Sequence, residues 1–149
     1  MPDAKSKDLT PCAIPPLSGV QRLPVWDDPK LYSVSDRARA WLDVQCAHCH
    51  NPEGPARTSA LALRFAQTDP TQFGVCKPPV AAGRGAGDKL FDIVPGKPDD
   101  SILVFRIEST DPGIRMPELP IKLVHREGAA LVREWIASLS GSCKSPSTH

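Results

Sequence analysis

The sequence predicts a mainly α-helical protein with long proline-rich loops and a small β-ribbon. Two segments, one starting near residue 34 and one near residue 126, carry apolar side chains at the spacing of amphipathic helices. The chain has 149 residues, of which 17 are proline and only 5% are aromatic. With so little aromatic mass, we expect something other than side chains to fill part of the core.

The first 25 residues are predicted to be a proline-rich arm or linker, and residues 26–149 to form one domain. The formal net charge of +1 favours neither a nucleic acid nor an anionic membrane as partner. No apolar run has transmembrane length, and Met1 to Thr10 are polar and mixed in charge, unlike a signal peptide. We expect a monomer with no nucleic-acid partner and no membrane span.

The first helix has a clear start signal. Ser33 and Asp36 form a capping-box pattern, so the helix is expected to begin at about Val34. It should continue into the sequence CAHCH at residues 46–50. Its inner side is predicted to carry Ala38, Trp41, Leu42 and Gln45.

The middle of the chain predicts less regular structure. The segments ALALRF (60–65) and LFDIV (90–94) have alternating or β-branched character, and we expect them to pair as a two-stranded ribbon. Pro98, followed by two aspartates, indicates the start of a short helix over SILVFRI. This helix should end shortly before the loop that contains Met116.

The last helix is predicted from about Arg126 to Leu139, and Gly141 suits a cap after its end. Its apolar stripe consists of Leu131, Val132, Trp135, Ile136 and Leu139. Gly128 and Ala129 are small and lie near its start. We expect them to let the first helix cross closely, with Ala38 and Ala40 as the matching surface.

The CAHCH sequence puts Cys46 and Cys49 directly before His50. A thioredoxin-type redox pair would follow a strand in a βαβ unit, but here a helix precedes the motif. A zinc site needs a second pair of ligands, and Cys76 and Cys143 each stand alone. We interpret the motif as covalent haem attachment, in which both thiols bond to the haem vinyl groups and the histidine binds the iron.

A low-spin haem needs a ligand on its other face. Met116 lies in the sequence IRMPELP, where Pro117 and Pro120 stiffen the loop, so we expect this thioether to be the sixth ligand. The alternative for Met116 is a core residue that fills a gap. His125 is the rival ligand. His48, between the two cysteines, is expected to be a partly exposed residue beside the haem edge.

With these features in this order, the chain resembles the class I c-type cytochromes. From about Trp26 to Gly141 it is similar to a bacterial mono-haem domain that also occurs in longer multihaem proteins. The segments that carry the resemblance are CAHCHNPEGPARTS, CKPPVAAGRG, IVPGKPDDSIL and MPEL. Longer relatives carry a second C-x-x-C-H motif. This chain has a single one, so we expect a single haem.

The resemblance implies orthogonal helices around one covalently bound haem c. Its cofactor-binding residues would be Cys46, Cys49, His50 and Met116, and its iron ligands would be His50 and Met116. In this class a proline carbonyl accepts a hydrogen bond from the other ring nitrogen of the proximal histidine. Pro52 and Pro55 are the residues available for that role.

Such a haem has no open position, so we expect a periplasmic one-electron carrier, or the electron-transfer domain of a larger protein, that acts with redox partner proteins. It would be soluble or tethered through an N-terminal segment. No acid, base and nucleophile occur together elsewhere, so we expect no catalytic residues. The alternative is a haem enzyme with a labile Met116 that acts on peroxide or another small ligand.

Three further cysteines fit an oxidising compartment. We favour a disulfide between Cys76 and Cys143, with Cys12 left over in the arm, and Cys12–Cys143 is the competing pair. Arg84 and Arg115 either pair with haem propionates or are solvated. The sequence AGRGAGD (82–88) lacks the lysine and the context of a phosphate loop, so we interpret it as a flexible turn.

Overall fold

The computed structural model describes residues 22–80, 83–118 and 123–144. This part of the chain is mainly helical, which confirms the predicted fold class at that level. Its α-helices are α1 (Val34–Leu42), α2 (Ile102–Glu108) and α3 (Arg126–Ser138). Short 3₁₀ turns cover Arg57–Ser59, Gly83–Ala86 and Pro98–Asp100. The predicted arm up to residue 21, including Cys12, lies outside the described residues. No helix among the described residues is long and apolar enough to cross a membrane.

Helix α1 begins as predicted and leads directly into the CAHCH sequence. The Ser33 hydroxyl accepts a hydrogen bond from the Asp36 amide at 3.1 Å. After Leu42 the chain continues as a π-helical turn over Asp43–Ala47, a geometry that is frequent at functional sites. The amides of the last two motif residues both donate to the Cys46 carbonyl, at 3.1 and 2.9 Å. The motif is therefore an extension of the helix.

Helices α1 and α3 cross at a glycine. Gly128 lies directly against the indole of Trp41, and a methyl group added there would lie 2.3 Å from the ring. Ala38 and Ala129 are buried in the same core. The predicted close crossing through small residues is therefore confirmed. Helix α3 ends at Ser138, one residue earlier than predicted.

The core joins the three helices to the long loops. Phe73, from a loop, packs edge-to-face on Trp135 of α3, with 5.8 Å between the ring centres. Leu63 and Ile93, also from loops, are almost completely buried in the same cluster. Loop residues thus supply a large share of the interior, which agrees with the abundance of proline in this chain.

The expected β-ribbon is wrong: residues 60–65 and 90–94 do not pair, and the described part of the chain contains no strand. Leu63 instead donates its amide to the His50 carbonyl at 2.9 Å. The second segment forms only isolated parallel bridges. Its alternating apolar residues, Phe91 and Ile93, are buried in the core, and this burial explains the pattern without a ladder.

A disulfide joins Cys76 to Cys143, which are 67 positions apart in the sequence, with 2.08 Å between the sulfur atoms. This is the pairing favoured by the sequence. The bond ties the loop before Lys77 to the segment that follows α3. It therefore closes a chain segment that includes α2 and the Met116 loop.

Candidate functional site

A cavity of about 490 Å³ lies between the end of α1, helix α2 and the Met116 loop. Its walls include Cys46, Cys49, His50 and Met116, so all four predicted cofactor-binding residues line one space. Three of them follow α1 directly, while Met116 comes from a loop that is remote in sequence.

Most of the cavity wall is apolar. Its deeper aliphatic and aromatic residues are Leu61, Leu63, Phe73, Ile93, Ile102 and Ile107. Exposed side chains, among them His48, Val80 and Glu118, form the rim. The cavity is therefore apolar inside and open to solvent beside the CAHCH turn, and His48 is exposed at its edge as expected.

One hydroxyl group determines which ring nitrogen of His50 is available. His50 Nδ1 lies 3.0 Å from Ser59 Oγ. Ser59 already donates its single hydroxyl proton to the Ala56 carbonyl at 2.7 Å. Oγ must therefore accept from Nδ1–H, because a hydroxyl has one proton to donate. The ring then carries its proton on Nδ1, and Nε2 keeps a free lone pair that can bind a metal.

Ser59 thus takes the place that the sequence analysis assigned to Pro52 or Pro55. Within the described residues, no hydrogen bond joins either proline carbonyl to the imidazole. The 3₁₀ turn Arg57–Ser59 folds the hydroxyl back onto the ring. Sequence spacing could not reveal this, because a serine nine positions after a histidine is not a recognisable motif.

The surroundings of His50 keep its imidazole neutral. Burial lowers the pKa of His50, and the positive charge of Arg106 and then His48 lowers it further. A metal-binding histidine must be neutral, since the ligand atom is an unprotonated ring nitrogen. Both the tautomer and the protonation state of His50 therefore suit a metal ligand.

The thiols of the motif do not behave like a redox pair. Cys46 is buried and Cys49 is half-buried, and they are not bonded to each other. Burial, and then the neighbouring Cys49, raises the pKa of Cys46 to about 12. Thioredoxin-type centres depend on a thiol with a lowered pKa, so this environment does not suit one. Within the described residues, no three His, Cys, Asp or Glu side chains form a metal-binding group.

Met116 is held against α2 by backbone contacts. Its amide donates to the Arg106 carbonyl at 3.0 Å. Arg106 also donates from Nε to the Ile114 carbonyl at 2.9 Å. Met116 is half-buried and lines the cavity, so it is not enclosed in the core in the way the alternative interpretation required.

His125 has a structural position instead. It caps the start of α3, and its Nδ1 accepts from the Gly128 amide at 3.0 Å. Its ring stacks on Trp41 and meets Trp26 edge-on, with ring centres 5.9 and 5.1 Å apart. It borders a separate space of about 30 Å³, which Met116 also borders, and not the large cavity.

The charged residues differ from those expected. Arg84 is exposed, pairs with Asp111 at 3.5 Å and does not line the large cavity. Arg115 borders only the smaller space. The arginine that lines the large cavity is Arg106. The position of Arg106 could have been predicted from the sequence, because it lies four residues after Ile102 and therefore on the same face of α2.

Next to the cavity lies a buried ion pair, and one of its members, Asp92, belongs to the cavity wall. Lys77 Nζ lies 3.1 Å from Asp92 Oδ2, and both side chains are at most 10% exposed. Asp92 lines the cavity. Its pKa is raised, because burial outweighs the opposing effect of Lys77. Nothing in the spacing of these residues indicated the pair.

No protein-family model matches the chain, and neither a curated protein nor a solved structure shows significant similarity to it.

Proposed function

We propose that the cavity binds one covalently attached haem c and that the protein is a periplasmic one-electron carrier, or the electron-transfer domain of a larger protein. The observation that carries the proposal is the meeting of four side chains on one cavity. Two unpaired thiols, an imidazole with a free Nε2 and a thioether all line it.

The donor set fits this group. Two cysteines can form two thioether bonds, and a histidine with a methionine is the axial pair of electron-transfer cytochromes. The cavity volume of about 490 Å³ is within the usual range for cofactor pockets.

When bound, haem supplies a one-electron couple, and the residues of the chain determine what that couple can do. Cys46 and Cys49 anchor it. His50 and Met116 would hold the iron and would leave no coordination position for a small ligand. The apolar wall excludes water, and the exposed rim at Val80 gives a partner access to the cavity mouth. These properties favour outer-sphere electron transfer.

The disulfide supports the proposed compartment. The bond between Cys76 and Cys143 needs an oxidising environment to persist, and haem c is attached in such an environment in bacteria. Both observations are consistent with a periplasmic location.

The attachment is tested by extraction with acidified acetone after expression with a haem c assembly system. We expect the haem to remain on the chain, and the Cys46→Ala/Cys49→Ala protein to lose it. Cys12→Ser is the matched control, because it removes a cysteine outside the CAHCH sequence and leaves the disulfide between Cys76 and Cys143 in place, and it should keep the haem. Complete extraction from the wild-type protein would show that the proposal is wrong.

The sixth ligand is tested separately. The oxidised protein should show the weak near-infrared band of iron–thioether ligation. Met116→Ala should abolish this band, and Met116→His should lower the midpoint potential, because imidazole favours the ferric state more than thioether does. His125→Ala is the control and should leave the band unchanged. A band that survives Met116→Ala would remove Met116 from the proposed site.

A further inference from the structure

Arg106 makes two contacts with the segment that leads to Met116. Its backbone carbonyl accepts from the Met116 amide at 3.0 Å, and its Nε donates to the Ile114 carbonyl at 2.9 Å. Arg106 therefore holds the backbone of this segment at two residues, Ile114 and Met116. A hydrogen bond from a charged group is among the stronger ones in proteins, so this contact constrains the loop.

The glycine-rich turn at residues 83–87 makes room for this arrangement. Gly85 is buried, and a methyl group there would lie 2.9 Å from Cζ of Arg106. Gly87 has φ +57°, and a methyl group there would lie 2.5 Å from the ring of Phe105. The two glycines therefore lie against consecutive side chains of α2. This close packing explains why residues 85 and 87 of the turn AGRGAGD are glycines.

The same turn also contacts the segment before Met116 directly, through Arg84. Arg84 lies 3.5 Å from Asp111, whose carbonyl accepts from the amides of Ile114 and Arg115 at 3.0 and 2.8 Å. The side chains of this pair are 73% and 45% exposed, so the pair contributes little by itself. Arg106 is half-buried at the cavity wall, which makes it the stronger of the two connections.

We propose that Arg106, kept in place by Gly85, is the positioning residue that presents Met116 to the cavity. This inference rests on the proposed function, in which Met116 is the sixth ligand. The inference identifies Arg106 as the residue whose contacts would keep Met116 in place as the sixth ligand. Without this contact the loop relaxes, and the site becomes open to small ligands.

The experiment uses the full haem-loaded chain and three variants. Arg106→Gln removes the charge, and Arg106→Lys keeps the charge but loses the planar donor. Gly85→Ala displaces the guanidinium without altering Arg106. The clash involves the flexible end of a side chain, so this variant should still fold. Arg133→Gln is the control, because it breaks the ion pairs of Arg133 with Glu108 and Asp99, and none of these three residues lines the cavity.

Two measurements are made on each protein. The near-infrared band should fall below half of its wild-type intensity in the Arg106 variants and decrease in Gly85→Ala. Hydrogen exchange of the peptide that contains the Met116 amide should become about tenfold faster, as expected for the loss of a supporting charged hydrogen bond. The control should lose thermal stability while its band and its exchange at Met116 stay unchanged.

The outcomes separate this inference from the proposed function. If the wild-type chain holds haem and its band, but the Arg106 variants show an unchanged band and unchanged exchange, the inference is overturned and the proposed function stands. If the wild-type chain binds no haem, the proposed function fails, and exchange at Met116 still decides whether Arg106 positions the loop. If Arg106→Gln does not fold, Gly85→Ala is the variant that tests the inference. A near-infrared band and an exchange rate at Met116 equal to those of the wild-type protein would then overturn it.

Discussion

At the scale of single residues, Ser59 has a larger effect on the site than its position in a loop suggests. It donates to Ala56 and accepts from His50, and these two bonds leave the lone pair of the imidazole on Nε2. A hydrogen-bond acceptor on the second nitrogen orients a metal-binding histidine and makes it a stronger donor to the metal. Ser59 therefore influences both the geometry of His50 and the redox potential of the proposed haem.

We expect Ser59→Ala to keep the haem attached but to raise its midpoint potential. Without the acceptor at Nδ1, the imidazole donates less charge and stabilises the ferric state less. The free energy of unfolding should fall by about 2 kcal/mol, because the variant loses two hydrogen bonds that usually contribute about 1 kcal/mol each. Potentiometric titration and chemical denaturation measure the two effects.

Ser138→Ala is the matched control for this variant. Ser138 also donates to a carbonyl three residues earlier, that of Trp135, at 2.7 Å, and it is not among the residues that line the cavity. It should lower the free energy of unfolding by about 1 kcal/mol, the usual contribution of one hydrogen bond, and leave the potential unchanged. Equal potentials for wild-type protein and Ser59→Ala would show that Ser59 has no influence on the proposed haem.

The sequence allowed some of these residues to be predicted and hid others. Cys46, Cys49 and His50 are recognisable because their spacing is itself the chemical requirement. Met116 could be selected because the proline-rich loop offers few candidate ligands. Ser59 could not, because its role depends on the path of the backbone between two turns. The same applies to the buried ion pair of Lys77 and Asp92, whose partners are brought together only by the fold.

At the scale of secondary-structure elements, the crossing of α1 and α3 determines where the CAHCH turn lies. Gly128 lets the Trp41 indole pack against the backbone of α3, and the helix that carries Trp41 leads directly to Cys46. A change at this crossing moves the end of α1 and hence one wall of the cavity. The crossing therefore connects the core with the site.

We expect Gly128→Ala to destabilise the protein by roughly 1–3 kcal/mol, because the new methyl group would overlap the indole ring. This is opposite to the effect at an exposed helix position, where alanine is favoured over glycine by about 1 kcal/mol. Chemical denaturation measures the change. In a Trp41→Leu background, Gly128→Ala should be less destabilising, because only the contact of the new methyl group with His125 Nδ1, at 2.5 Å, remains. Destabilisation of the same size in both backgrounds would show that the two residues do not interact.

Helices were easier to predict than the ribbon for a physical reason. The capping residue Ser33 and the apolar stripe of α3 act within one element, so they can be identified from nearby positions. The alternation of apolar and polar residues at 60–65 and 90–94 indicates only that one side of each segment is buried. In this fold both segments are buried in the same core as loops, with their amides bonded elsewhere. A strand needs a partner, and alternation does not identify one.

At the scale of the whole molecule, the disulfide closes the chain segment that supplies α2 and the Met116 loop to the cavity wall. We expect peptide mapping under non-reducing conditions to find Cys76 linked to Cys143. Closing a loop of 67 residues should contribute about 4 kcal/mol, so Cys143→Ser should lower the free energy of unfolding by up to that amount. Cys12→Ser is the control and should have no effect. A peptide that links Cys12 to Cys143 would contradict the structure.

The charge of the molecule bears on how the proposed carrier would meet a redox partner. The net charge is +1, and the exposed rim of the cavity includes His48, Val80 and one carboxylate, that of Glu118. Such a surface has no strong charge field to steer an incoming protein or small reductant, and salt screens only charged interactions. Association should therefore depend on ionic strength much less than in a steered pair.

We expect stopped-flow reduction by a small chemical donor to be fast, and its rate to change by less than about twofold between low and high salt. The freshly oxidised protein should show no appreciable peroxide turnover, because Met116, as the proposed sixth ligand, would fill the position that peroxide needs. Met116→Ala is the positive control and should gain peroxidase activity, since it keeps the haem anchored by Cys46 and Cys49 but opens one face. If the wild-type protein turns over peroxide as fast as this variant, Met116 does not protect the iron, and the protein is a haem enzyme instead of a carrier.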